Sequence, residues 1–268
     1  MAETLTTLIR SEYQSFLRDG YVVVRQAFAQ ADALAIQQQW WDELAVLYAI
    51  RRDEPATWRP IPSDLKMAKG HPLQARILSE RVRGVLDDLL GGGNWSRPKD
   101  WGRTIATFPE PGPWDVPTGF WHWDNPCAPH LDRPRGLFIV TFISSVASRG
   151  GGTLLLSGSP RLLVQQHRRL AAEQRSEPKP WLRFHASHPW LAALAGRAPS
   201  PQDRVAAFMQ HETRVEDVPL RVVELTGEPG DMVFCHPLMV HCGVPNRGEQ
   251  PRFVRIKQQF LQNPGART

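Results

Sequence analysis

Apolar residues recur along this chain with two different periods, and each period predicts a type of secondary structure. Between residues 31 and 50 the apolar side chains return every three or four positions, which predicts a helix. A second helix is expected over residues 76–90. The three glycines at 91–93 should end it, because glycine readily takes the left-handed conformation found at helix ends.

Most of the remaining chain alternates β-branched and aromatic runs with turns, which predicts strands. The runs lie at residues 20–25, 104–108, 119–124, 136–144, 153–156, 222–225, 231–236, 238–241 and 252–260. Residues 160–218 differ, because their amphipathic, proline-interrupted pattern predicts a mostly helical insertion. The chain is therefore expected to be mainly β with flanking helices. No repeat or low-complexity linker divides its 268 residues, which favours a single domain over residues 1–268.

Composition narrows the class of protein further. A hydrophobic content of 41% with 22% charged residues is ordinary for a globular domain. The net charge of +5 comes without a basic tail or a basic–aromatic repeat, so we expect no nucleic-acid partner. No leader pattern or membrane-length apolar run is present. Cys127, Cys235 and Cys242 show no paired spacing, and we expect a cytoplasmic protein of undetermined oligomeric state.

The most informative segment is Phe-Trp-His-Trp-Asp at residues 120–124. Side chains alternate along a strand, so His122 and Asp124 should project from one face while Trp121 and Trp123 project from the other. One imidazole beside one carboxylate supplies two of the three ligands of a facial iron(II) site. The spacing alone is equally compatible with a tryptophan-packed core strand that contains a satisfied histidine.

Two downstream histidines compete for the third ligand position. His236 precedes a proline, which interrupts strand pairing and indicates a bend. His241 follows the apolar run at 238–240 and precedes a loop, so it lies where a strand end meets a loop. We therefore favour His241 over His236.

An arginine near the C-terminus is the candidate for binding an anion. Period two puts Arg252 on the aliphatic face of the strand at 252–258, whereas Arg255 shares the other face with Phe253. We expect the aliphatic face to be the interior, so Arg252 should point inward. A buried guanidinium needs an anionic partner. That partner can be a bound carboxylate or a carboxylate of the protein itself.

Together these motifs resemble the phytanoyl-CoA dioxygenase family. The shared elements are His122-x-Asp124, His241 in the run His-Pro-Leu-Met-Val-His-Cys-Gly-Val-Pro-Asn, and Arg252 eleven residues later. The resemblance extends to the strand at 16–24 and to Gly-Gly-Thr-Leu-Leu-Leu-Ser-Gly-Ser at 151–159, and leaves out the insertion. It implies a double-stranded β-helix (jelly-roll, cupin-like) core and an oxygenase that depends on iron(II) and 2-oxoglutarate.

The resemblance also implies roles for individual residues. His122, Asp124 and His241 would bind the iron and so form the catalytic centre, and Arg252 would bind the distal carboxylate of 2-oxoglutarate. Many members carry a serine two residues after the distal histidine that also contacts 2-oxoglutarate, whereas this chain has Gly243. Thr104 and Thr153 are the candidates for replacing that contact.

The implied activity is oxidation of a small-molecule metabolite at a C–H bond, with O2 consumed and succinate and CO2 released. Hydroxylation is the expected outcome, and the substrate itself is left open because members act on diverse small molecules. One alternative is a non-catalytic jelly-roll protein that binds a ligand. Another is a zinc-dependent hydrolase with the same three ligands, in which Arg252 would have no role.

Overall fold

The computed structural model describes residues 5–61, 71–124, 130–132, 134–170 and 179–262. The α-helices in these ranges are α1 (Arg10–Asp19), α2 (Gln30–Tyr48), α3 (Glu80–Leu90), α4 (Ser159–Arg168), α5 (Pro180–Ala186) and α6 (Pro189–Leu194). The strands are β1 (Tyr21–Val24), β2 (Arg103–Thr107), β3 (Gly136–Phe142), β4 (Leu154–Ser157), β5 (Thr213–Val215), β6 (Val218–Glu224), β7 (Met232–Cys235), β8 (His241–Cys242) and β9 (Arg252–Phe260). Short 3₁₀ turns cover Pro55–Thr57 and Pro72–Ile77, and a π-helical turn covers Ala206–Gln210.

The strands form two antiparallel sheets. The larger sheet has the order β1-β7-β3-β9-β2, and the smaller has the order β5-β6-β4-β8. Their facing sides share an apolar cluster that includes Phe138 and Val140 of β3, Leu155 of β4, Val233 of β7 and Val254 of β9. Two antiparallel sheets packed across such a core form the double-stranded β-helix that the family resemblance implied.

Helices cover the outer side of each sheet. Trp40 of α2 packs on Phe253 of β9 with ring centroids 5.6 Å apart, in the cluster that also contains α3. The insertion buries Leu154 and Leu156 of the smaller sheet against Phe184 of α5. Both faces of the central strands are therefore removed from water. This explains why all seven residues of β3 are buried and why its sequence is mostly apolar on both faces.

Several predicted elements are confirmed with small changes. The strand at 20–25 is β1, the helix at 31–50 is α2, and β9 has the predicted bounds. The second helix begins at Glu80, because the Ser79 hydroxyl accepts a hydrogen bond from the Val82 N–H and caps it. Helix α1 was not predicted, and residues 16–19 belong to it and not to the strand expected at 16–24.

The insertion was predicted too long. Its described part contains α4, α5, α6 and the π-helical turn that ends at Gln210, but β5 and β6 then form a hairpin that belongs to the smaller sheet. Glu216 and Asp217 make its two-residue turn with φ of 47° and 65°. Positive φ at both positions is typical of a type I′ turn, in which asparagine and glycine are the usual residues. Because Glu216 and Asp217 are not the usual residues of such a turn, this hairpin had no signal in the sequence.

Two composition-based expectations can be compared with the structure. Within the described ranges, none of the helices combines the length and the apolar character needed to cross a membrane. Cys235 and Cys242 are buried free thiols, and Cys127 lies outside the described residues.

Candidate metal centre

The segment that carries His122 and Asp124 is not a strand. Its one ladder contact is an antiparallel bridge in which the His122 N–H donates to the His241 carbonyl at 3.1 Å and the His241 N–H donates back at 2.8 Å. Trp121 and Trp123 are 2% and 8% exposed and belong to the core beneath the insertion, whereas His122 and Asp124 are exposed. The predicted alternation is therefore present even though residues 119–124 were wrongly predicted to form a strand.

The bridge brings the three predicted ligands into one cluster. The two imidazole rings lie with centroids 4.4 Å apart. The Asp124 carboxylate reaches both of them, with Oδ1 3.4 Å from His122 Nε2 and Oδ2 3.9 Å from His241 Nε2. One possible ligand atom from each residue lies within 4.8 Å of the others, so the three side chains can hold a metal ion.

Backbone carbonyls orient both imidazoles in the same way. His122 Nδ1 lies 2.7 Å from the Phe120 carbonyl, and His241 Nδ1 lies 3.0 Å from the Met239 carbonyl. Because a carbonyl only accepts, each neutral ring carries its proton on Nδ1 and presents the Nε2 lone pair to the cluster. Phe138 stacks on His241 at 4.5 Å and fixes the plane of that ring. Two nitrogen lone pairs and one carboxylate make a donor set that suits iron(II).

The local electrostatics favour the ligating protonation states of His241 and Asp124. Burial lowers the pKa of His241 and so favours its neutral form. The hydrogen bond with His122 is the main cause that lowers the pKa of Asp124, and the side chain of Gln258 contributes a further hydrogen bond. The same contact with Asp124 raises the pKa of His122. Gln258 was missed in the sequence, although period two from Arg252 puts it on the same face of β9.

His236 takes no part in this cluster. It is 1% exposed, its Nε2 lies 3.0 Å from the His130 carbonyl, and its Nδ1 accepts from the Leu238 N–H at 3.1 Å. Both ring nitrogens are thus occupied by backbone groups, and burial lowers the pKa of His236 to about 4. The predicted strand at 238–241 is reduced to β8, because residues 238–240 form no ladder.

Arg252 points inward, as predicted. It is 5% exposed, and its Nη2 donates to the Thr153 hydroxyl at 2.9 Å while its Nε has no hydrogen-bond partner. Burial lowers its pKa to about 10, so the guanidinium stays charged at neutral pH. The carboxylate of Glu224 exerts an attractive charge effect on it but accepts its own hydrogen bonds from the Arg149 N–H and the Ser148 hydroxyl. A buried cation with a spare donor fits an anionic ligand.

The expectation that only one face of β9 is interior was wrong. Arg255 is fully buried on the opposite face, where its Nη1 donates to the Gly102 carbonyl at 3.0 Å and its guanidinium lies 5.5 Å from the centroid of Trp40. Helix α2 covers that face, and a strand's own pattern does not reveal such a cover. Thr104 pairs with Arg255 in the register of β2 and β9. Its side chain therefore shares the helix-covered face and not the face of Arg252, contrary to its proposed role.

Thr153 lies where a substitute for the missing serine is needed. The register pairs Leu155 with His241 and Leu154 with Cys242, so Thr153 comes opposite Gly243. A Cβ at Gly243 would meet nothing within 4 Å. Thr153 and Gly243 are thus opposite each other on neighbouring segments, and the space that a serine side chain would occupy at 243 is open. The Thr153 hydroxyl also contacts Arg252.

Comparisons with known proteins identify the family and the fold. The model of the phytanoyl-CoA dioxygenase family (PhyH) matches residues 16–254. Among curated proteins, no match to the chain is found. Among solved structures, AviO1 from Streptomyces viridochromogenes Tue57 is 15% identical with a TM-score of 0.56, covering 99% of each chain.

Two further structures are similar over most of their length. The α-ketoglutarate-dependent carbocyclase SnoK from nogalamycin biosynthesis is 16% identical with a TM-score of 0.52, covering 98% of this chain and 91% of its own. HygX from Streptomyces hygroscopicus, crystallised with nickel and 2-oxoglutarate, is 14% identical with a TM-score of 0.51, covering 95% of this chain and 88% of its own. At these identities the similarity establishes the fold.

The backbone conformation of Phe120 orients the His122 ring. Phe120 has a φ of 62°, which is unusual for a bulky residue, and its carbonyl accepts a hydrogen bond from His122 Nδ1. Its own ring is 90% exposed. Phe120→Pro fixes φ near −65° and should turn the carbonyl away, weakening iron(II) binding by about tenfold or more. Phe120→Gly allows the same φ without a side chain and should bind iron(II) within about threefold of wild type. Anaerobic calorimetry measures both affinities, and equal losses in the two variants would contradict the role of the backbone.

Proposed function

The chain belongs to the phytanoyl-CoA dioxygenase family, and from that membership we propose that it oxidises a small-molecule metabolite at a C–H bond, most often by hydroxylation. Its class is that of the iron(II)- and 2-oxoglutarate-dependent oxygenases, with O2 as the other cosubstrate. The observation that carries the proposal is the cluster of His122, Asp124 and His241. The buried Arg252, whose Nε has no hydrogen-bond partner, contacts the strand segment that pairs with His241.

We assign iron binding to His122, Asp124 and His241. These three side chains would hold the iron(II), and a set of only three protein ligands would leave room for the cosubstrate to bind as well. Bound iron(II) and 2-oxoglutarate supply the O2-activating and C–H-oxidising chemistry, and succinate and CO2 are the coproducts. Because Asp124 provides the carboxylate ligand, that position is closed to a halide, which favours hydroxylation or desaturation over halogenation.

We assign binding of the distal carboxylate of 2-oxoglutarate to Arg252 and Thr153. Arg252 donates to Thr153, which is two residues from the strand partner of His241. Two residues of strand span on the order of 7 Å, a length that a five-carbon dicarboxylate covers. The buried side chains of Phe138, Leu155 and Val254 line the space between the sheets and keep water out, which strengthens the charge interaction of the guanidinium.

We infer that the substrate approaches from the open side of the cluster. His122 and Asp124 keep 46% and 28% of their side-chain surface accessible, and the exposed Phe120 and Gln258 are next to them. A small molecule fits this arrangement better than a nucleic acid or a membrane, given the modest net charge. We further propose one domain over residues 1–268 that acts in the cytoplasm, with an insertion from about residue 160.

Anaerobic titration with iron(II) and 2-oxoglutarate tests the function directly. We expect the weak visible charge-transfer band of the iron–2-oxoglutarate chelate in wild type and its loss in His122→Ala. We also expect iron-dependent release of succinate that zinc does not support. A wild-type protein without the band contradicts the proposed chemistry, and activity supported by zinc in place of iron would favour a hydrolase.

The two buried arginines of β9 provide a matched pair. Arg252→Met should weaken 2-oxoglutarate binding by about 10- to 100-fold, because a hydrogen bond to a charged group contributes roughly 1.5–3 kcal/mol. Arg255→Met should lower the unfolding temperature and leave the 2-oxoglutarate affinity within about threefold, since Arg255 lies on the helix-covered face. Titration of the band against 2-oxoglutarate separates the two effects. Equal losses of affinity would show that Arg252 has no specific role.

Thr153 and Gly243 provide a compensation test. Thr153→Val keeps the shape but removes the hydroxyl, and should weaken 2-oxoglutarate binding by about 3- to 10-fold, the value of one neutral hydrogen bond. Adding Gly243→Ser to that variant supplies a hydroxyl in open space on the facing strand and should restore most of the affinity. Gly243→Ala in the same background is the control. Restoration by alanine as well would indicate a backbone effect and contradict the role of the hydroxyl.

A further inference from the structure

The loop between β2 and His122 contains no strand, and one of the side chains that bind it belongs to the insertion. Arg204 lies between α6 and the π-helical turn and is 5% exposed. Its Nε donates to the Val116 carbonyl at 2.7 Å, and one Nη2 contact reaches the Pro117 carbonyl at 3.0 Å. Two residues of the loop are thus bound to one guanidinium.

The same guanidinium also binds the end of α6. Its Nη1 donates to the Ala193 carbonyl at 3.0 Å and to the Ser200 hydroxyl, and its Nη2 donates to the Leu194 carbonyl at 2.8 Å. Five contacts match the five N–H donors of an arginine, so its hydrogen-bonding capacity is fully used. Among the described residues Arg204 forms no salt bridge. It therefore acts as a connector between backbone segments, and lysine, with three donors, cannot reproduce it.

From Pro117 the connection continues to the ligand segment. The Pro117 carbonyl also accepts from Trp121 Nε1 at 2.9 Å, and Trp121 is the residue before His122. Trp123, between the two predicted ligands, packs edge-on against Phe184 of α5 at 5.8 Å. Trp121 and Trp123 both lie in the apolar cluster that includes Phe184 of the insertion, and the opposite side of the segment carries His122 and Asp124.

The two halves of the metal cluster are consequently held in different ways. His241 lies on β8, which is paired with β4 inside the smaller sheet. His122 and Asp124 are joined to the β core by one bridge to His241 and by the hydrogen bond between Gln258 and Asp124, and the tryptophans beside them pack in the cluster beneath the insertion. Loss of the contacts with the insertion should therefore disturb one half of the cluster and leave the β core in place.

We propose that Arg204 is a positioning residue for the metal centre, through which the insertion sets the placement of His122 and Asp124. The inference rests on the proposed function, since it takes these residues with His241 as the iron ligands. It gives the insertion a role in the metal site that is separate from covering the smaller sheet. A residue that served only to stabilise the fold would change the unfolding temperature without changing the metal affinity of the folded protein.

Arg204→Ala tests this in the full-length protein, with iron(II) affinity measured by anaerobic calorimetry beside the unfolding temperature. We expect the protein to remain folded and the affinity to fall by about tenfold or more, as for other residues that orient ligands. Guanidinium chloride at about 10 mM should restore the affinity by occupying the vacated space, whereas sodium chloride of equal ionic strength should not. Unchanged affinity in a folded Arg204→Ala protein overturns the proposal.

Arg247→Ala is the matched control. Arg247 also donates to loop carbonyls, at 2.9 Å to Glu110, 2.9 Å to Pro111 and 3.0 Å to Pro113, but these precede the part bound by Arg204. We expect less than about a threefold loss of iron(II) affinity in this variant. An equal loss in both variants would mean that any loosening of the loop suffices, and would overturn a specific role for Arg204.

Two further variants keep the test decisive if Arg204→Ala does not fold. Arg204→Lys and Trp121→Phe each remove some of the hydrogen bonds around the Pro117 carbonyl, and each should weaken iron(II) binding by about threefold or more. If both fold and bind normally, the proposal fails. Measurements on the wild-type protein distinguish failure of the Arg204 proposal from failure of the proposed function. If the wild-type protein does not bind iron(II), the proposed function is refuted. If every variant binds iron(II) as the wild-type protein does, only the role of Arg204 is refuted.

Discussion

The reciprocal main-chain hydrogen bonds between His122 and His241 are the constraint on which the candidate site depends. They join an otherwise unpaired segment to β8, and through β8 to the smaller sheet. Each of these histidines also directs its Nδ1 to the carbonyl two residues before it, so one local arrangement is used twice. His236 has the opposite arrangement, because its Nδ1 accepts an N–H from two residues after it. The hydrogen bond of Nδ1 therefore distinguishes His122 and His241, whose Nε2 atoms point into one cluster, from His236, whose ring does not.

Burial on both sides of both sheets determines which polar groups the interior can hold. The central strands are covered by helices outside and by each other inside, so a buried charge needs hydrogen bonds from its immediate neighbours. Arg255 and Arg204 obtain them from backbone carbonyls. Arg252 obtains one from Thr153 and keeps a donor without a partner. Among these three cations, Arg252 is the one that lies on the inner face beside Thr153 and the histidine and carboxylate cluster, so its surroundings suit a bound anion.

The sequence predicted the ligand cluster better than it predicted the elements that carry it. Alternation assigned His122 and Asp124 to one side and the tryptophans to the other, and this holds in an extended segment whether or not a ladder forms. The same rule failed for Arg255, because exposure of the second face of a strand depends on what another element covers. It failed for Thr104 because its face depends on the register between β2 and β9. The left-handed backbone of Phe120 had no sequence signal, since phenylalanine rarely adopts it.

Trp121 and Trp123 connect the packing of the insertion to the geometry of the metal centre. Trp121 and Trp123 alternate with the ligands, so burying them beneath the insertion and exposing His122 and Asp124 to the cluster are two results of one backbone conformation. A change in how the insertion packs must shift the tryptophan side, and the rigid alternation transmits that shift to the ligand side. The insertion lies outside the motifs that identify the family, yet it contacts the segment that contains the most diagnostic of them. Its packing is therefore a determinant of the site's geometry in this chain.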